Sequence, residues 1–121
     1  MRDIELKIRS AIDWGKTGAL SVRDMVEACG NTTKYFLWGH NVYSEHYDIG
    51  VIAFSFCGWQ TNTTKSRLNA LLPVGCSVYQ KNYELFLKVD GVVYPFGSCD
   101  KVHINLRNHK VDIVKAAYPI F

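Results

Sequence analysis

Apolar and polar positions alternate along this chain with two different periods. Ile4, Ile8, Ala11 and Ile12 recur at i, i+4, i+7 and i+8, which lines one face of a helix over residues 3–13. Glu5, Lys7 and Arg9 fall on its polar side, and Gly15 and Gly18 stop it. Ser21 then stands three places before an acid, in Val22-Arg23-Asp24-Met25-Val26, as a helix N-cap does. This predicts a second helix that closes at Cys29-Gly30, with glycine in the usual C-terminal place.

After Asn31-Thr32-Thr33 the texture changes. Residues 34–43 and 51–57 are rich in aromatic and β-branched side chains and read as strands, with the polar run Ser44 to Gly50 as the turn between them. Residues 61–72 return to a helical period, with Leu68, Leu71 and Leu72 as the apolar stripe, before Pro73 and Gly75 break the chain. A strand fits residues 76–80. Tyr83, Leu85, Leu87 and Val89 then alternate against Glu84 and Lys88, and Asp90-Gly91 leads into Val92-Val93-Tyr94. A two-residue Asp-Gly loop between such runs is a strong hairpin signal. A last strand fits residues 101–106. The tail 111–121 has no clear period, and Pro119 argues against a long terminal helix.

Together these elements predict an α+β fold in which N-terminal helices pack on a mostly antiparallel sheet, with one inserted helix at about 63–72. At 121 residues the chain has the size of a single domain, 1–121. A domain of this size buries roughly two-thirds of its unfolded surface, so neither metal nor disulfide is required to hold it.

Composition narrows the setting. The hydrophobic fraction of 48% and charged fraction of 21% are those of a soluble globular protein. No apolar run approaches the roughly 20 residues of a membrane span. Arg2, Asp3 and Glu5 stand where a signal peptide would have its apolar core, so the expected location is the cytoplasm. Cys29, Cys57, Cys76 and Cys99 lie far apart with no C-x-x-C pair and read as reduced, buried thiols. The two Asn-Thr-Thr sequences, at 31–33 and 62–64, match a glycosylation acceptor but have no context without secretion. A net charge of +3 with a pI near 8.7 permits a polyanionic partner without requiring one.

Candidate chemistry is sparse. His40 and His46, and His103 and His109, have loose zinc-ligand spacing, but no paired cysteines accompany them, so no metal and no cofactor are expected. No nucleophile motif or glycine-rich phosphate loop is present. Glu84 and Lys88 share a strand face that a metal nuclease could use, with Asp48, Asp90 and Asp100 as partners, yet these three sit in turns and the face reads as solvated. No catalytic residue is therefore assigned.

The distinctive stretch runs from Cys57 to Leu72. Thr61, Thr63 or Thr64 can cap the helix there, and Lys65 and Arg67 fall in its first turn, where the helix dipole disfavours cations. An anion bound by Thr63, Thr64, Lys65 and Arg67 would relieve that conflict. The segment Tyr35 to Trp59 also crowds eight aromatic residues together, among them Trp38, Tyr43 and Trp59. An alternating strand buries only one face on a single core, so these three are expected on a partner-binding surface, with a dimer mate as the alternative cover.

From Lys34 to Leu72 the chain resembles small accessory proteins of tailed bacteriophages. The resemblance rests on Tyr35-Phe36-Leu37-Trp38-Gly39-His40 and on a Trp-x-Thr-x-Thr-Thr-x-x-x-Leu-Asn segment at residues 59–69. It implies a non-enzymatic phage or prophage protein that binds and inhibits a host macromolecule in the bacterial cytoplasm, in the manner of an anti-defence or anti-CRISPR inhibitor. The alternative is a small-ligand, nucleotide or nucleic-acid binder that uses the helix start at 63–67.

Overall fold

The computed structural model describes residues 2–116. Helix α1, Asp3–Asp13, forms where the apolar period placed it and buries Ile8, Ala11 and Ile12. Glu5 closes its first turn by accepting a hydrogen bond from the backbone N–H of Arg2 at 3.2 Å. The chain then runs through β1 (Gly18–Ala19), β2 (Asp24–Cys29), β3 (Thr32–Leu37), β4 (His40–His46) and β5 (Val51–Phe54). Helix α2, Asn62–Leu71, follows, then β6 (Cys76–Lys81), β7 (Glu84–Val89), β8 (Val92–Phe96), β9 (Lys101–Asn105) and β10 (Val111–Val114).

The strands form two antiparallel sheets. A seven-stranded sheet has the order β1-β2-β3-β4-β5-β9-β10, and a three-stranded sheet has the order β6-β7-β8. The fold is thus α+β with mostly antiparallel pairing. One continuous core joins its parts: Ile8 and Ile12 of α1, Leu68 and Leu71 of α2, Val26, Tyr35, Ile52 and Phe54 of the large sheet, and Val78, Leu85 and Leu87 of the small one. Phe96 at the end of β8 meets Phe54 edge-on, with ring centroids 5.7 Å apart, and so couples the two sheets. Among the described residues, no helix is long and apolar enough to cross a membrane.

Three expectations change. The helix expected from Ser21 to Cys29 is strand β2, in which Asp24 and Val26 are buried and Met25 is exposed. The run 34–43 is split by a two-residue turn at Trp38-Gly39, with Leu37 paired to His40 across it. Ser44, Glu45 and His46 belong to β4, so the turn before β5 begins at Tyr47. The Asp90-Gly91 hairpin forms as expected, with φ of 49° and 87° at its two turn residues. The tail begins as β10, and Pro119 lies outside the described residues.

Candidate functional site

The β3–β4 hairpin and the start of α2 enclose a hollow of about 500 Å³. Leu37, Val42 and Phe56, all buried, line its apolar part. Trp38, His40 and Trp59 line it as exposed rings, with Trp38 at 64% and Trp59 at 59% exposure. The His40 and Trp59 rings stand 6.1 Å apart and tilted by 41°. Thr61, Thr63 and Thr64 supply the polar side.

Local backbone sets each wall. Trp38 and Gly39 have φ of 51° and 78°, both in the left-handed region that a tight hairpin turn requires. Asparagine or glycine adopts that conformation easily, whereas a bulky side chain there carries strain. A register shift beside Tyr35/Phe36 leaves one extra residue in β4, a bulge that lets both Val42 and Tyr43 be buried in succession. At the third wall, Thr61 is the N-cap of α2 and accepts from the Thr64 backbone N–H at 3.1 Å. The N–H groups of Asn62 and Thr63 have no carbonyl one turn back, and the first turn holds no acidic residue.

Of the residues singled out from sequence, Trp38, Trp59, Thr63 and Thr64 thus meet at one site. Tyr43 does not: it is buried, and its hydroxyl donates to Glu45 at 2.7 Å and to the Leu71 carbonyl at 3.3 Å. Lys65 turns aside to donate to Gln80 Oε1 at 3.1 Å. Arg67, expected to help bind an anion at the helix start, is fully buried. His40 and Phe56 were missed as site residues, because neither carries a signal apart from its place beside Trp38 and Trp59.

Arg67 belongs to a different constellation. Its Nε donates to Asp24 Oδ1 at 3.0 Å and its Nη1 to Glu5 Oε2 at 3.0 Å. Ser66 also donates to Glu5, at 2.6 Å, while Ser21 and Tyr35 donate to Asp24. Glu5, expected on the polar side of α1, is therefore buried too. Burial alone would raise both carboxyls, but these hydrogen bonds and the guanidinium charge hold Glu5 and Asp24 below the ordinary carboxylate range. Burial next to Asp24 pushes the Tyr35 hydroxyl far up, so it stays a donor. The cluster ties α1, α2 and β2 together, and its charged groups are closed to solvent.

The other sequence candidates stay apart. Among the described residues, no group of three or more His, Cys, Asp or Glu side chains could hold a metal ion. Glu84 and Lys88 are exposed on β7, and Asp100 is occupied by the Gly97 and Ala116 N–H groups and by Lys115. The thiols are free, but Cys29 and Cys99 are exposed instead of buried.

No curated protein and no solved structure matches the chain. A family model described as Kyanoviridae Gp96 protein matches residues 1–113, well beyond the Lys34 to Leu72 stretch that carried the resemblance, and the chain therefore belongs to this family of phage proteins.

Proposed function

We propose that this phage protein works by binding, without catalysis, and that the hollow between Trp38, His40 and Trp59 receives an apolar or aromatic side chain of a host protein. The observation that carries this reading is the set of three exposed rings around one apolar floor. Tryptophans at the rim of a dry pocket are the commonest anchors of protein–protein binding energy. The absence of acidic residues from the first turn of α2 suits a partner segment that adds a carboxylate beside its apolar side chain. Inhibition of a host defence complex, of the anti-CRISPR kind, is the narrower form of the proposal and rests on the phage context.

The test is affinity purification of the full chain from bacterial host extract, run beside Trp38→Ala and Trp59→Ala with circular dichroism confirming their fold. A host protein held by the wild type and lost from both folded variants is the expected result. Equal recovery by all three would overturn it.

A second reading places a small anionic ligand with a planar ring, such as a nucleotide, in the same hollow. It is favoured by the threonine-lined helix start that opens there. Nucleotide titration should then shift the amide resonances of residues 61–64 and quench tryptophan fluorescence, and unchanged spectra would remove this reading.

A further inference from the structure

We propose that Cys57 and Cys99 form a modification site, a thiol pair that a peroxide converts to a disulfide at the end of the β5–β9 ladder. The register carries the argument. Val51 faces Asn105, Ile52 faces Ile104, Ala53 faces His103 and Phe54 faces Val102. Past Phe54 and before Lys101 both segments leave the strand, and Cys57 turns with φ of 53°, yet the same register count still sets Cys57 across from Cys99. Beyond the last strand pair it is still held, because the Gly58 N–H donates to the Ser98 carbonyl at 2.9 Å. At the far end of the ladder the Leu106 N–H donates to the Gly50 carbonyl, also at 2.9 Å. A disulfide spans Cα atoms roughly 4.4–6.8 Å apart, a separation that facing residues of hydrogen-bonded neighbouring segments reach.

The side chains agree with that register. A Cβ on Gly58 would lie 3.5 Å from Cys99 Sγ, so the Cys99 thiol rests against the backbone next to Cys57. The two sulfurs differ in access. Cys99 is exposed, whereas Cys57 is half-buried and donates weakly to the Asn41 carbonyl at 3.4 Å. Burial pushes the Cys57 thiol up, against a smaller lowering by Ser55, and neighbouring Cys99 adds to the rise. Cys57 is shielded from the reagent by its burial, which leaves Cys99 as the first thiol a peroxide meets.

In the first step the Cys99 thiolate attacks a peroxide oxygen. The S–O bond forms, the O–O bond breaks, and for hydrogen peroxide the leaving hydroxide takes up a proton as water. Cys57, losing its proton, then attacks the Cys99 sulfur; the S–S bond forms, the S–O bond breaks, and a second water leaves. Two thiols and one peroxide give one disulfide and two waters. The bridge lies two residues from Trp59, so it ties that wall of the hollow to the turn before β9.

The experiment treats the full chain with hydrogen peroxide, blocks remaining thiols, and maps tryptic peptides without reduction. The expected product is monomeric, lacks two hydrogens, and links the peptide containing Cys57 to the one containing Cys99. The link should be absent from Cys99→Ser and Cys57→Ser and should vanish with dithiothreitol. The wild-type map decides the matter even if Cys57→Ser fails to fold. Oxidation that yields only Cys29-linked dimers, or Cys99 sulfinic acid beside an unmodified Cys57, would overturn the proposal.

Discussion

Helix α2 separates two regions that invert the usual distribution of side chains. On its inner side a guanidinium, two carboxylates and a phenol lie buried together, with the hydroxyls of half-buried Ser66 and exposed Ser21 at the edge. Beside its first turn, two tryptophans and a histidine stand in solvent around an apolar floor. Buried charge and exposed large aromatics are each uncommon, and each calls for a partner. The buried cluster finds its partners within the chain, from α1 and β2. Among the described residues the exposed rings have none beyond their own rim, and the proposed binding rests on that contrast. Polar residues thus hold the fold here, and apolar ones are free to act.

Breaking the inner region should have the largest effect. Replacing Arg67 with Ala leaves Glu5 and Asp24 buried as unpaired charges and should cost about 3–5 kcal/mol of stability, read from urea unfolding. Arg67 Nη2, buried with no partner among the described residues, shows that the cluster is not perfectly satisfied. A triple replacement of Arg67, Glu5 and Asp24 by apolar residues of similar volume should therefore recover most of that loss. If the triple variant is less stable than Arg67→Ala alone, the cluster contributes more than mutual compensation.

Acid provides the next handle. Glu5 and Asp24 are held below their ordinary values, so the unfolded chain binds protons before the folded one does as pH falls. Their contribution is complete above the unfolded value of about 4 and drains away as pH drops through the lowered folded values. Asp24→Asn should cost about 2 kcal/mol near neutral pH, through weakened charge-assisted hydrogen bonds, and should flatten the acid limb. Urea midpoints measured between pH 7 and pH 2 check both. An unchanged acid slope in the variant would show that Asp24 is not a source of it.

A milder version of the same chemistry sits next door. Tyr43 lies opposite Tyr35 across β3 and β4, and its hydroxyl donates to Glu45, which also pairs with Arg9 at 2.8 Å. The side chains of Arg9 and Glu45 are 27% and 14% exposed, against 0% for both Arg67 and Asp24. Solvent can therefore answer for a lost partner, and Arg9→Ala should cost only about 1 kcal/mol. A cost equal to that of Arg67→Ala would erase the distinction drawn from burial.

How much of this was legible follows from the range of each interaction. Local periods gave α1, α2 and the Asp90-Gly91 hairpin, because their signals lie within a few residues. Ser21 misled although its hydrogen bonds are real. Its Oγ accepts from the N–H groups of Arg23 and Asp24, as a cap would, yet the turn it closes feeds strand β2. Val22, Met25, Val26 and Cys29 fit a helical face as well as they fit a strand, and pairing with β3 decided between them. For Arg67 the first-turn position suggests a cation beside a bound anion, whereas its side chain is buried with Leu68 and Leu71. Its partners lie 62 and 43 residues away, which no local pattern reveals. Aromatic crowding alone groups Tyr43 with Trp38 and Trp59, whereas the β4 bulge, where one extra residue reverses the faces, turns it inward.

The smallest predicted change in stability has the opposite sign. Trp38 occupies the first position of a two-residue turn with φ of 51°, where asparagine is strongly preferred. Its ring is 64% exposed, so removing it from the free protein loses little burial. Trp38→Asn should therefore leave the fold intact and raise stability by a few tenths to about 1 kcal/mol, visible as a higher urea midpoint. The same variant should lose the host partner proposed for the hollow. A stabilised protein that no longer binds would show that the tryptophan is kept in a strained turn for what it touches outside the chain. If Trp38→Asn instead destabilises, the ring supports the hairpin, and the contrast between the two sides of α2 narrows to Trp59 and His40.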